Sequence, residues 1–223
     1  MGKNLIAWGV LCLVPLFFCA CDCASPKSNE DSPEETVKEA LDFNLDGERR
    51  GRFFRKRISR TCNMISEISN KAERVALLGK LAESFSKLKL SDYSPREKES
   101  MADVFCLSLE YVSYQLVQND FDEKLIGDFI LKGFHEFQDM CFSCGNPADY
   151  SSDHGADVRE RYRLARALHG SWKNAVTFWE QTSIRTIFHG RPDAAKRFRE
   201  RWLNEFGSPD GKRDALSRKN ADR

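Results

Sequence analysis

Apolar residues recur at spacings of three and four over more than thirty positions of this chain, and this periodicity constrains its fold more than any other feature. The residues concerned are Phe54, Ile58, Cys62, Ile65, Ile68, Ala72, Val75, Leu78, Leu81, Phe85 and Leu88. Because an α-helix has about 3.6 residues per turn, side chains with this spacing share one side of a helix. The pattern predicts one continuous helix over 54–88, which ends at the turn 91–94.

The rest of the chain up to residue 207 also has helical patterns. Ser32–Glu35 and Ser94–Glu97 each place Ser, then Pro, then Glu three positions after the Ser, which is the composition of a capped helix start. Further helices are predicted over about 95–118, from about 121, and near 156–169, 171–189 and 192–206. No segment alternates apolar and polar residues as a strand does. The sequence therefore predicts an all-α bundle of about six helices within residues 33–207, followed by a loose polar tail over 208–223.

The N-terminal residues have the pattern of an export signal. Lys3 is followed by an apolar run over 4–20 that ends in small residues, and the run is short for a membrane-spanning helix. Phe18-Cys19-Ala20-Cys21 resembles the lipobox of a bacterial lipoprotein. The resemblance implies that residues 1–20 are a cleaved signal peptide. It also implies that Cys21 becomes the N-terminus and carries fatty acyl chains such as palmitate.

The residues that follow are small and polar. Residues 21–32 are expected to form a lipidated tether that holds the helical domain near a bilayer. The resemblance therefore implies a protein of the cell envelope, lipid-anchored and facing the periplasm or the exterior, with the choice of inner or outer membrane open. An ordinary cleaved signal and an uncleaved anchor are the two alternatives.

Charge is balanced overall but unevenly distributed. The chain has 35 Lys and Arg against 34 Asp and Glu, which argues against a protein that grips nucleic acid over its whole surface. Residues 49–60 carry seven cations and no acid, residues 61–155 are mainly acidic, and the chain is basic again from 157. The segment 49–60, with Phe53 and Phe54 among its cations, is suited to anionic lipid or to an acidic partner. The expected export argues against nucleic acid as a partner. Alternatively, the basic ends pair with the acidic middle inside one bundle.

Four cysteines lie within the predicted helical domain. Cys141 and Cys144 follow one another at the end of a predicted helix, where we expect a disulfide in an oxidising compartment. Together with His135 and His154 they also supply two thiolates and two imidazoles, a possible zinc set. Cys62 and Cys106 lie far apart along the predicted helical hairpin, so we expect them to be buried free thiols.

Asp42-x-Asn44-x-Asp46-Gly47 resembles the first six positions of an EF-hand calcium loop. Phe53 stands where the twelfth position of that family has a bidentate Glu, and the alternative is a helix that ends at Gly47. We expect no bound cofactor.

Histidines and tryptophans in the last third of the chain have structural explanations. His169 and His189 each precede a Gly at an expected helix end, where a His caps the helix. The tryptophans at helical spacing are expected in the core: Trp172, Trp179 and Trp202.

These features favour one functional class. We expect a membrane-tethered lipoprotein that acts as a binding or accessory protein for another envelope component, with the bilayer and an envelope protein as its partners and no nucleic acid. The alternative is an exported enzyme or metal-binding protein that uses His135, Cys141, Cys144 and His154.

Overall fold

Helices account for most of the described chain, which in this computed structural model comprises Leu45, residues 49–149 and residues 155–207. The α-helices are α1 (Gly51–Glu67), α2 (Lys71–Phe85), α3 (Pro95–Ala102), α4 (Phe105–Gln118), α5 (Glu123–Phe142), α6 (Ala156–Phe178), α7 (Ile184–Ile187) and α8 (Pro192–Phe206). A π-helical turn, Trp179–Ser183, joins α6 to α7 without a break, and short 3₁₀ turns lie at Leu90–Asp92 and Pro147–Asp149. The described residues contain no strand. The predicted all-α bundle is confirmed, with α6 and α7 counting as one of seven continuous helices.

The long helix predicted over 54–88 is instead two helices. Ile68 has an extended backbone, and the Asn70 side chain accepts hydrogen bonds from the backbone N–H groups of Ala72 and Glu73, so that it caps α2. Ile68 and Val75 are only half-buried and Ala72 is exposed. The apolar spacing continues across the break because α1 and α2 both face the same core. The prediction of one helix was wrong, since Asn70 offers the backbone a helix start.

The second predicted helix is also divided. The capping box at Ser94 and Glu97 is present, but α3 ends at Ala102 and α4 begins at Phe105. At the break, the Val104 N–H donates to the carbonyl of Met101, three residues back. Nothing in the apolar spacing of this segment marks the division.

In α6, by contrast, the sequence predicts a break between two helices, 156–169 and 171–189, that the structure does not have. This helix passes through Gly170 without ending, and Leu168 and Trp172 are buried on either side of the glycine. His169 therefore lies inside a helix, not at its end, and its ring centroid is 4.4 Å from that of Phe142. The capping role predicted for His169 was wrong, because the apolar periodicity continues across the glycine.

A continuous series of aromatic rings forms the core. Near α1, the Phe85 ring lies 5.7 Å from that of Phe54 and 5.0 Å from that of Phe105. Near α8, the Phe134 ring lies 4.5 Å from that of Trp202. The predicted core tryptophans are all buried: Trp172, Trp179 and Trp202. Because each such side chain buries about 150–250 Å², these contacts fix the positions of α1 and α8 against one shared core.

The N-terminus of α1 lies directly against α3. The Gly51 N–H donates to Ser100 Oγ at 2.8 Å. A Cβ at position 51 would come within 1.9 Å of the Ser100 carbonyl oxygen, so only glycine allows this close approach. The contact fixes the rotation of α1 about its axis, and thereby fixes which of its residues face solvent.

Candidate functional site

The exposed side of α1 is formed by basic residues. Because successive residues of a helix are rotated by about 100°, Arg52, Lys56 and Arg60 lie in one row, with Arg55 beside it. All four are exposed. We call these four residues the cationic face. The opposite side of α1 is buried in the core: Phe54, Ile58, Cys62 and Ile65.

The cationic face is not neutralised by the rest of the described structure. The side chains of Arg52, Arg55, Lys56 and Arg60 make no ion pair or hydrogen bond with another described residue. Arg49 differs from them, since its guanidinium lies 5.0 Å from the centroid of the Tyr93 ring. Four like charges on one helix repel each other, and none of the four forms an ion pair with a described carboxylate that would offset this repulsion.

The two adjacent phenylalanines of α1 have opposite environments. Phe53 is 52% exposed, whereas Phe54 is 0% exposed and contacts the aromatic core. The prediction treated both as interleaved with the cations, but only Phe53 belongs to the outer surface. Since Phe53 lies one turn from Lys56, it adds an apolar contact to the cationic face.

A shallow open groove of about 490 Å³ runs between α1 and α3. Its walls carry three cations, two hydroxyls and one carboxylate. The lining residues are Arg52, Arg55, Lys56, Ser59, Ser100, Asp103 and Val104. Positive charge beside hydroxyl donors is suited to the oxygens of a phosphate or a carboxylate, because each oxygen accepts hydrogen bonds.

The basic residues of α8 are used differently. Arg197 pairs with Glu123 at 2.8 Å and Arg199 with Glu180 at 3.1 Å. Two further ion pairs join this end of the chain to the acidic middle, Arg191 with Asp120 and Arg201 with Asp128. The alternative prediction, that basic ends pair with the acidic middle, therefore describes α8 but not the cationic face.

A smaller basic region lies at the start of α6. Arg163 binds Glu99 of α3 at 2.8 Å and Glu160 at 2.9 Å, and its hydrogen bond holds the pKa of the Glu99 carboxyl below its usual range. Arg161 and Arg166 are exposed and make no ion pair with another described residue. These cations are more dispersed than those of α1.

The cysteines have the environment of structural thiols. None of Cys62, Cys106, Cys141 and Cys144 forms a disulfide with another described residue, so the disulfide predicted between Cys141 and Cys144 is not seen. Burial raises the pKa of Cys62 to about 12 and raises those of Cys106 and Cys141. A protonated thiol is a poor nucleophile and a poor metal ligand at neutral pH. Cys62 and Cys106 are buried and free, as the sequence predicts.

The predicted zinc ligands are not brought together within the described structure. His135 Nε2 lies 3.0 Å from Glu205 Oε1 on α8 and its ring packs against Phe206, whereas Cys141 is buried. No three His, Cys, Asp or Glu residues of the described chain are placed to hold a metal ion. His154 lies outside the described residues.

Two other predicted sites lie outside the described residues. They are the lipidation site Cys21 and the calcium-loop residues Asp42, Asn44 and Asp46. None of the described helices has the length and apolar content of a membrane span.

One partly buried polar contact between two helical segments was not predicted from the sequence. Ser183, at the end of the π-helical turn, donates from Oγ to Glu110 Oε2 at 2.8 Å. Burial raises the pKa of Glu110, and the hydrogen bond from Ser183 partly offsets this rise. No sequence signal marks a pair 73 residues apart. It has the geometry of a structural contact between α4 and the turn.

Comparisons with protein-family models, with curated proteins and with solved structures find no match to this chain. The chemistry of its own residues is therefore the basis for a functional proposal.

Proposed function

We propose that this protein is an exported, lipid-anchored binding protein that contacts another component of the cell envelope through the cationic face of α1. The observation that carries the proposal is that Arg52, Arg55, Lys56 and Arg60 are exposed and have no carboxylate partner among the described residues. A second support is the resemblance of Phe18–Cys21 to a lipobox, which implies lipidation at Cys21.

Electrostatics explains how such a face works. The rise of about 1.5 Å per residue spreads the row Arg52, Lys56 and Arg60 over about 12 Å of the helix axis. Several like charges at this spacing attract an anionic surface before contact and orient the domain as it approaches. The expected complex therefore weakens as salt is added, because screening shortens the range of each charge.

Binding is favoured over catalysis by the state of the candidate reactive groups. Cys141 is buried with a raised pKa, and His135 is engaged with Glu205. The alternative predicted from the sequence, an enzyme or metal-binding protein that uses His135, Cys141, Cys144 and His154, has no assembled site among the described residues.

The anchor is tested by Cys21→Ser in the full chain. We expect the wild-type protein in the membrane fraction and the variant released from it, because an acyl chain contributes most of the attachment. The membrane fraction is washed with high salt, which removes attachment by charge alone. Retention of the variant after this wash would show that residues 4–20 remain as an anchor and that the lipobox interpretation is wrong.

The binding face is tested by site-specific photo-crosslinking in intact cells. A photoreactive phenylalanine analogue replaces Phe53 in one sample and Phe178, an exposed phenylalanine of α6, in a control sample. We expect a defined crosslinked product at position 53 only. The product should disappear when Arg52, Arg55, Lys56 and Arg60 are all changed to Gln. Equal crosslinking at the two positions, unaffected by the charge change, would exclude the cationic face as the contact surface.

A further inference from the structure

We infer that the component bound by the cationic face is the anionic headgroup layer of the membrane that carries the lipid anchor. This inference rests on the proposed function and names the partner of its binding face. The helix α1 would lie with its outer side on the headgroups while its inner side remains packed in the helical domain.

The composition of the outer side of α1 matches such a surface. Arg52, Lys56 and Arg60 lie in a row and Phe53 is 52% exposed beside them. Cations bind headgroup phosphates, and an aromatic ring gains free energy at the boundary between headgroups and acyl chains. Because Phe54 and Ile58 are buried in the core, α1 cannot turn its apolar side to the bilayer. The expected contact is therefore shallow adsorption with one inserted ring.

The groove between α1 and α3 adds hydrogen-bond donors at the same surface. Ser59 and Ser100 line it together with Arg52 and Lys56. Phosphate oxygens accept hydrogen bonds from both guanidinium and hydroxyl groups. Asp103 lies in the same groove, so the phosphate-binding part is expected on the α1 side, where the cations are.

The proposed anchor would keep the domain close to headgroups. Cys21 precedes Gly51 by 30 positions in the sequence. An anchor this close in sequence gives the attached domain a high effective concentration at the membrane. One lipid signal together with a basic patch is a common way to obtain stable attachment. The cations of α1 have long, flexible side chains that are spread along the helix. Such a row is better suited to a fluid layer of many phosphates than to a single fixed carboxylate.

Sedimentation with vesicles tests this inference. The probe is the chain from position 21 onward with Cys21→Ser, so that neither the apolar segment nor a lipid contributes. Vesicles are phosphatidylcholine alone, or phosphatidylcholine with about 30% phosphatidylglycerol, the anionic content chosen to resemble an anionic leaflet. The variant of the cationic face carries Arg52→Gln, Arg55→Gln, Lys56→Gln and Arg60→Gln, which keeps helix-forming residues.

A control variant removes the same number of exposed cations elsewhere. It carries Arg159→Gln, Arg161→Gln, Arg166→Gln and Lys196→Gln, four exposed residues without an ion pair among the described residues. The two variants therefore have the same net charge. Circular dichroism checks that both keep the helical content of the wild type.

The expected result follows from the usual contribution of a cation at an anionic surface, about fivefold in affinity for each Lys or Arg. The wild type should bind anionic vesicles, and neutral vesicles much less. The cationic-face variant, which lacks four such cations, should bind about 600-fold more weakly and the control variant within about fivefold of wild type. Phe53→Ser should weaken binding about fivefold by removing the inserted ring.

Two results would overturn the inference. One is wild-type binding no stronger to anionic than to neutral vesicles, and the other is an equal loss in both fourfold variants. If vesicle binding fails but the product at position 53 is a crosslink to a protein in intact cells, the inference is wrong and the proposed function stands. If both experiments fail, the cationic face has no role in binding.

Discussion

The helices α1 and α8 resemble each other in composition but differ in how their charges are used. Each buries aromatic residues in the common core, Phe54 on α1 and Trp202 on α8, and each has a basic outer surface. On α8, Arg199 and Arg201 bind carboxylates, whereas the cationic face of α1 binds none within the described structure. A basic segment thus becomes part of the fold or remains available to a partner according to the acids it packs beside.

The position of the acidic residues explains this difference. Asp120, Glu123 and Asp128 lie at the α4–α5 connection and along the first turns of α5, where α8 and the residues before it pack. The outer side of α1 faces none of these carboxylates. Its nearest acidic neighbour in the groove is Asp103, which forms no ion pair with another described residue.

The largest expected effects test the buried sides, where the two helices should behave alike. Phe54→Ala and Trp202→Ala should each lower the free energy of unfolding by about 3–5 kcal/mol, because both create cavities in the aromatic core. The adjacent exposed residues provide controls, and Phe53→Ala and Leu203→Ala should each change it by less than about 0.5 kcal/mol. Urea unfolding measures all four. A similar loss for Phe53 and Phe54 would contradict the assigned orientation of α1.

An intermediate effect is expected where α1 contacts α3. Gly51→Ala places a Cβ within 1.9 Å of the Ser100 carbonyl oxygen, so the two helices must separate. We expect a loss of about 1–3 kcal/mol in the free energy of unfolding.

Gly170→Ala in α6 is the matched control for this substitution. A Cβ there meets nothing within 4 Å, and alanine should stabilise the helix by up to about 1 kcal/mol. If Gly51→Ala were also neutral or stabilising, the close contact between α1 and α3 would be disproved.

A smaller effect should appear in the pH dependence of stability. Hydrogen bonds and charge from Lys71, and then Arg191, hold the pKa of Asp120 below its usual range. The stabilisation by this carboxylate is therefore complete above its unfolded-state pKa of about 3.9 and is lost as pH falls through the lower folded-state pKa. Asp120→Asn should flatten the loss of stability between about pH 5 and pH 2, measured by urea unfolding at each pH.

The fourfold variant of the cationic face tests whether α1 contributes to the same pH dependence. It should lose stability on acidification as steeply as the wild type does, because its cations hold no described carboxylate. A smaller loss of stability on acidification in this variant than in the wild type would reveal a carboxylate that the cationic face stabilises in the folded protein.

Much of the fold was predictable because apolar spacing reports the buried side of each helix. The periodicity of 54–88 identified buried residues such as Ile58 and Leu81. It did not reveal the division at 68–70, since two helices that face one core continue the same spacing. Asn70 was the available signal, being a strong N-cap residue.

The candidate site was predictable only in part. The run of cations over 49–60 was evident, but whether those cations are neutralised depends on which acids pack beside them in three dimensions. The different exposure of Phe53 and Phe54 was also predictable, because adjacent residues of a helix are rotated by about 100° and only Phe54 belongs to the apolar spacing. In contrast, the role of Gly51 depended on the position of Ser100, 49 residues away, and no local pattern reports such a contact.

The most direct test of the difference between α1 and α8 is the free energy of unfolding of two double variants in low salt. Arg199→Gln with Arg201→Gln should lower it by about 0.5–2 kcal/mol, because two ion pairs are lost. Arg52→Gln with Lys56→Gln should leave it unchanged or raise it by about 0.2–0.5 kcal/mol, because a repulsive pair one turn apart is removed. Losses of equal size in both variants would contradict the account, since they would show that the cations of α1 are neutralised inside the fold.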